Sequence, residues 1–66
     1  MSVAKVIEIS VTSEQSFEDA IRKGIEKAAE TVHNIKAAWV KEQQVLVEND
    51  KITNFQVILS VTFVLE

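Results

Sequence analysis

Sixty-six residues, 47% of them hydrophobic, carry a net charge of −3 and a pI near 5.1, with no cysteine and no proline. This excludes a disulfide framework and a Cys/His structural metal site, and with Arg22-Lys23 as the longest basic run it excludes the footprint of a nucleic-acid binder. No apolar run nears the ~18 residues that span a bilayer and no secretory pattern is present, so neither nucleic acid nor membrane is an expected partner and a cytoplasmic setting is expected.

A chain this small buries only about 60% of the surface its unfolded form exposes. With no staple available and ample apolar content, one domain (1–66) that buries its surplus by self-association is the expectation. Val3 to Val11 reads as the first strand, with Ile7, Ile9 and Val11 on one face and Val6, Glu8 and Ser10 on the other. The polar run Thr12 to Ser16 ends it. Ser16 with Asp19 three residues on is a capping pattern, in which the hydroxyl accepts from the Asp19 amide and the carboxylates of Glu18 and Asp19 suit a helix first turn.

The helix is predicted from about Phe17 to about Val32. Phe17, Ala20, Ile21, Gly24, Ile25, Ala28 and Val32 form one apolar stripe, and charged residues occupy much of the remainder. An attractive Glu18–Arg22 pair offsets a repulsive Glu26–Glu30 pair. Gly24 on the stripe is expected to let helix and sheet approach closely. His33 and Asn34 close the helix, His33 as a dipole contact with no catalytic partner near it in sequence.

Ile35 to Val47 is the second strand, and Asn49-Asp50 is its tight turn because both residues tolerate positive φ. The last strand, Ile52 to Glu66, alternates Phe55, Val57, Leu59, Val61, Phe63 and Leu65 against Asn54, Gln56, Ile58, Ser60, Thr62 and Val64. With Glu48 facing Lys51, the register sets Val40 against Leu59, Glu42 against Val57 and Gln44 against Phe55 on the helix side. The other face then carries Gln43–Gln56, Lys41–Ile58, Trp39–Ser60 and Ala37–Thr62. The predicted fold class is α+β, a β-α-β-β chain whose third strand lies antiparallel between the first two. A final strand of roughly 50 Å outruns a helix of about 24 Å, so further copies must cover the sheet.

There is no cysteine nucleophile, GxSxG turn, phosphate loop or HExxH, and the chain is not expected to be an enzyme. Glu42, placed on the apolar side by that register, is expected to pair with a cation of a neighbouring copy. On the other face Trp39, the one tryptophan, joins the amides of Gln43 and Gln56, with Val45 and Ile58 beside them. A π surface next to an amide edge suits a planar heteroaromatic ligand; composition alone favours reading the same tryptophan as an interface anchor.

The chain resembles the dodecins along its whole length without gaps. The likeness runs through Lys5-Val6-Ile7-Glu8-Ile9, Ser16-Phe17-Glu18-Asp19-Ala20, Val40, Glu42-Gln43, Glu48, Lys51, Gln56-Val57 and Val61-Thr62-Phe63-Val64-Leu65-Glu66. The resemblance implies a three-stranded antiparallel sheet wrapped on one helix, assembled as a hollow homododecamer. It implies flavin (riboflavin or FMN) stacked between symmetry-related tryptophans at subunit interfaces, for storage and photoprotection rather than turnover. Gln56 matches the family glutamine that bonds the ring's polar edge. The family tryptophan position is Ala37 here, and Trp39 comes two residues later on the same strand face. Three outcomes follow: Trp39 is a displaced platform, the site is widened, or the shell persists without flavin, as in a branch associated with calcium.

Overall fold

The structure, a computed structural model, describes residues 3–65; Glu66, at the end of the expected last strand, lies outside them. Strand β1 (Val3–Ser13), helix α1 (Phe17–Ala28), β2 (Ile35–Glu48) and β3 (Lys51–Leu65) follow one another along the chain. They build one sheet in the order β1-β3-β2, with β3 antiparallel to both neighbours. This is the α+β arrangement that the alternation in β3 and the single helical stripe demand.

Local chemistry fixes the corners. Ser16 Oγ accepts from the Asp19 amide at 2.9 Å, the cap that the sequence predicts. Ser13, buried at the end of β1, donates to Asp19 Oδ2 at 2.6 Å and accepts from the Gln15 amide at 2.9 Å. Lys23 Nζ sits 3.0 Å from the same Asp19 oxygen. The Ser13 hydrogen bond, then the one from Lys23, hold the Asp19 carboxyl below the usual carboxylate range. At the other corner Asn49 and Asp50 both adopt positive φ, 53° and 63°, and Glu48 pairs with Lys51.

One face of the sheet packs on α1. Val57, Leu59 and Val61 on β3, with Ala20 on the helix, are wholly buried, and Ile7, Ile9, Val11, Phe17, Ile21, Ile25 and Ile35 surround them. Phe17 and Phe55 close one end edge to face, with centroids 5.2 Å apart. Gly24 is where helix and sheet come nearest. A Cβ there would lie 2.7 Å from Val11 Cγ2 and 3.1 Å from Leu59 Cδ1. The close approach expected from the sequence is thus a steric requirement.

The helix is shorter than its apolar stripe predicts. It ends at Ala28 and the chain turns through Glu30–Lys27, Thr31–Ala28 and Val32–Ala28 backbone hydrogen bonds. Asn34 takes a φ of 64° just before β2, so His33 lies past the helix and not in its last turn. Twelve helical residues reach about 18 Å, while the molecule is 51 Å long. The helix packs on β1 and β3; every residue of β2 except Ile35 is exposed.

The β1–β3 ladder is regular throughout, but β2–β3 is not. The expected register holds from Ala37 to Val40 and again at Val47 and Glu48. Between them an extra residue, Lys41, shifts the pairing by one. A second irregularity around Thr53, whose hydroxyl donates to the Leu46 carbonyl at 3.2 Å, shifts it back. Such a slip turns every side chain between the two irregularities to the opposite face. Gln44 now faces Gln56, Glu42 faces Ile58, Gln43 faces Val57 and Val45 faces Phe55.

Candidate ligand site on the open face of the sheet

The face of the sheet turned away from α1 carries Glu8, Ser10 and Thr12 from β1. It carries Gln56, Ile58, Ser60 and Thr62 from β3, and Ala37, Trp39, Glu42 and Gln44 from β2. Trp39, opposite Ser60, is 74% exposed. For an aromatic of that size this is an open stacking surface in the protomer. Ala37, two positions earlier on the same face, pairs with Thr62 and offers only a methyl group.

Across the sheet runs a polar row. Gln44 Nε2 donates to Gln56 Oε1, and Gln56 Nε2 donates to Ser10 Oγ at 3.1 Å, so one side chain from each strand is linked in line. Glu42, Gln44, Gln56 and Ile58 line a shallow depression of about 430 Å³ beside this row, and Gln43 also borders it although its pairing with Val57 sets it on the other face. Between the row and Trp39, Lys41 Nζ reaches Glu8 Oε2 at 2.7 Å across β3. The hydrogen bond to Glu8, then its charge, raise the Lys41 ammonium above its ordinary value, with Glu42 adding a smaller effect.

The sequence reading and this face overlap in part. Trp39, Ala37 and Gln56 lie on it together. Gln43 and Val45, expected beside them, fall on the helix side of β2, beyond the reach of α1. Glu42, expected on the helix side, is on the open face. The physical reason is the Lys41 bulge. Gln44 is the residue that sequence reasoning missed, and the run Lys41-Glu42-Gln43-Gln44 has no apolar member whose alternation could have exposed the slip. Within one copy Trp39 and Gln56 are separated by the four-residue step from Gln56 to Ser60, about 13 Å along the strand.

Among the described residues no group of three or more His, Cys, Asp or Glu side chains is arranged to hold a metal ion. Among the same residues no helix is long and apolar enough to cross a membrane.

A family profile described as Dodecin matches residues 3–66. The chain belongs to the dodecin family. A curated relative, "Calcium dodecin" of Mycobacterium tuberculosis (strain ATCC 25618 / H37Rv), is 36% identical over 63 residues, 96% of this chain and 89% of the relative. Its crystal structure, described as that of a calcium-chelating antigen with a novel calcium-binding site, matches 98% of this chain and 93% of its own with a TM-score of 0.84. Dodecin from Streptomyces davaonensis is 32% identical and superposes with a TM-score of 0.93 over 98% of this chain and 96% of its own. An arginine-to-alanine variant of T. thermophilus dodecin gives 32% identity and a TM-score of 0.93 over 100% and 98% of the two chains. By identity the calcium dodecin is the nearer of these three; by backbone shape the other two dodecins are nearer.

Proposed function

We propose that this dodecin is a self-assembling binding protein. In this reading it holds a flavin, riboflavin or FMN, at the seams of a cytoplasmic homododecamer, sequestering it rather than turning it over. The observation that carries the reading is Trp39, an indole left open on a sheet face that also presents the Gln44–Gln56–Ser10 row. A ring gripped by a stacking surface on one side and an amide at its edge is a common way to bind a planar heteroaromatic. Because the two features are about 13 Å apart in one copy, a single ring would draw them from different copies, which ties binding to assembly. Trp39 and Gln56 are the residues proposed to touch the ring directly. Ala37 leaves room beside it, and Gln43 and Val45 stand on the other face of β2, where a neighbouring copy would cover them. When bound, the flavin supplies a chromophore whose excited state close stacking quenches.

The test is a titration of riboflavin and FMN into the purified protein, read by flavin fluorescence. Quenching near one flavin per subunit, in a species of about 89 kDa for twelve chains of 7.4 kDa, supports the reading. Trp39→Ala should abolish quenching with the mass unchanged, and Ala37→Trp should tighten binding. Unquenched flavin over an intact shell would overturn it.

A second reading, a calcium-binding shell without flavin, is favoured by the relative named calcium dodecin. Calcium needs 6–8 oxygen ligands, so carboxylates such as Glu42 would have to converge from several copies. A melting temperature that moves with calcium and not with flavin would select it.

A further inference from the structure

The Gln56 amide is held at both ends, and its neighbours decide which way round it lies. Gln44 gives a hydrogen to Gln56 Oε1, and Gln56 Nε2 gives one to Ser10 Oγ. A serine hydroxyl that accepts at oxygen still has its own proton to donate, and a primary amide nitrogen carries two hydrogens. Neither the Ser10 proton nor the second Gln56 hydrogen takes a partner among the described residues. The row therefore has a direction, each amide donating towards β1. Its β1 end leaves two neighbouring hydrogens free to donate, on Ser10 Oγ and Gln56 Nε2, and its β2 end leaves the Gln44 carbonyl oxygen and the second Gln44 amide hydrogen.

We infer that Ser10 is a specificity-determining residue of the proposed ligand site: with Gln44 fixing the Gln56 amide, the Ser10 hydroxyl and the second Gln56 N–H form a donor pair for one carbonyl oxygen on the edge of a planar ligand. This rests on the reading given under Proposed function and narrows its ligand class to heteroaromatics with an edge carbonyl. Gln44 acts as a positioning residue, setting which end of Gln56 meets Ser10. A ligand presenting an edge amino group at the same place would face the fixed Gln56 N–H and find only the remaining lone pair of Ser10 Oγ to accept it, so it forms one hydrogen bond where a carbonyl forms two.

The experiment pairs ligand and residue changes. Riboflavin and its 2-thio and 4-thio analogues, in which sulfur is a weak acceptor, are titrated into the wild type and into the Ser10→Ala and Ser10→Thr variants. One thio analogue should bind the wild type about tenfold more weakly than riboflavin. That ratio should fall to within about twofold in Ser10→Ala and return in Ser10→Thr. A Ser10→Ala change that weakens all three ligands alike and leaves the ratio intact would overturn the inference.

Should no flavin bind at all, the flavin reading fails separately. The inference is then decided by the crystal structure of the assembled protein at about 1.2 Å or better, where amide orientation is observed and not assigned. Gln56 Nε2 on Ser10 keeps the donor pair for another carbonyl-edged ligand. The amide turned the other way removes it.

Discussion

Strands β1 and β2 flank β3 on either side and both carry apolar residues, yet only β1 lies under the helix. Ile7, Ile9 and Val11 pack against Gly24 and its neighbours and complete a core with Val57, Leu59 and Val61. On β2, Val40, Val45 and Val47 remain exposed at 44%, 37% and 59%. The difference comes from the helix, which is too short and too far to one side to roof three strands of this length. Half of the sheet is a conventional core; the other half is apolar surface in search of cover, which small monomeric proteins rarely leave open. Assembly, and the ligand binding proposed above, are consequences of that second half.

Substitutions on the two halves should therefore fail in different ways. Val40→Glu would set a charge on the uncovered strip and should cause the largest loss, the disappearance of the high-mass species in sedimentation velocity, since an unpaired charge buried between copies is poorly tolerated. Leu59→Ala, in the covered half, should lower stability by about 2–5 kcal/mol through the cavity it leaves, measured by denaturant unfolding. Similar losses of mass and similar midpoints for these two variants would erase the distinction between the halves.

Gly24→Ala should cost about 1–3 kcal/mol, because Val11 and Leu59 must move to admit the methyl group. Ser16→Ala removes the helix cap and should cost about 1 kcal/mol in the same assay.

The smallest effect concerns pH. Asp19 has a folded pKa below its unfolded value, so its contribution is present above about pH 3.8 and is lost as pH falls through the lower folded value. The melting temperature of Asp19→Asn should approach that of the wild type as the pH is taken below 4. A gap between the two that stays constant with pH would assign the loss to the side chain's shape and not its charge.

Much of the covered half is legible in the sequence, because each of its elements is announced by a local rule that agrees with the packing. The alternation Phe55 to Leu65 defines a buried strand face, Ser16 announces the cap, and Asn49-Asp50 can hardly be anything but a tight turn. The uncovered half is less readable for a physical reason. Four consecutive polar residues from Lys41 to Gln44 give no preference for either face, so nothing local reveals the bulge that puts Gln44, not Gln43, beside Gln56. The helix end was hidden for the opposite reason. Ala28 and Val32 continue the stripe although the chain leaves the helix after Ala28, since Val32 stays half-buried and its amide still bonds the Ala28 carbonyl.

The claim that copies must cover β2 is tested most directly by a dilution series followed at once by sedimentation velocity and far-ultraviolet circular dichroism. The account predicts a single large species whose strand signal falls as it dissociates, because obligate assemblies have no stable folded subunit. A folded monomer at about micromolar concentration, keeping the full strand signal with β2 exposed to water, would contradict it.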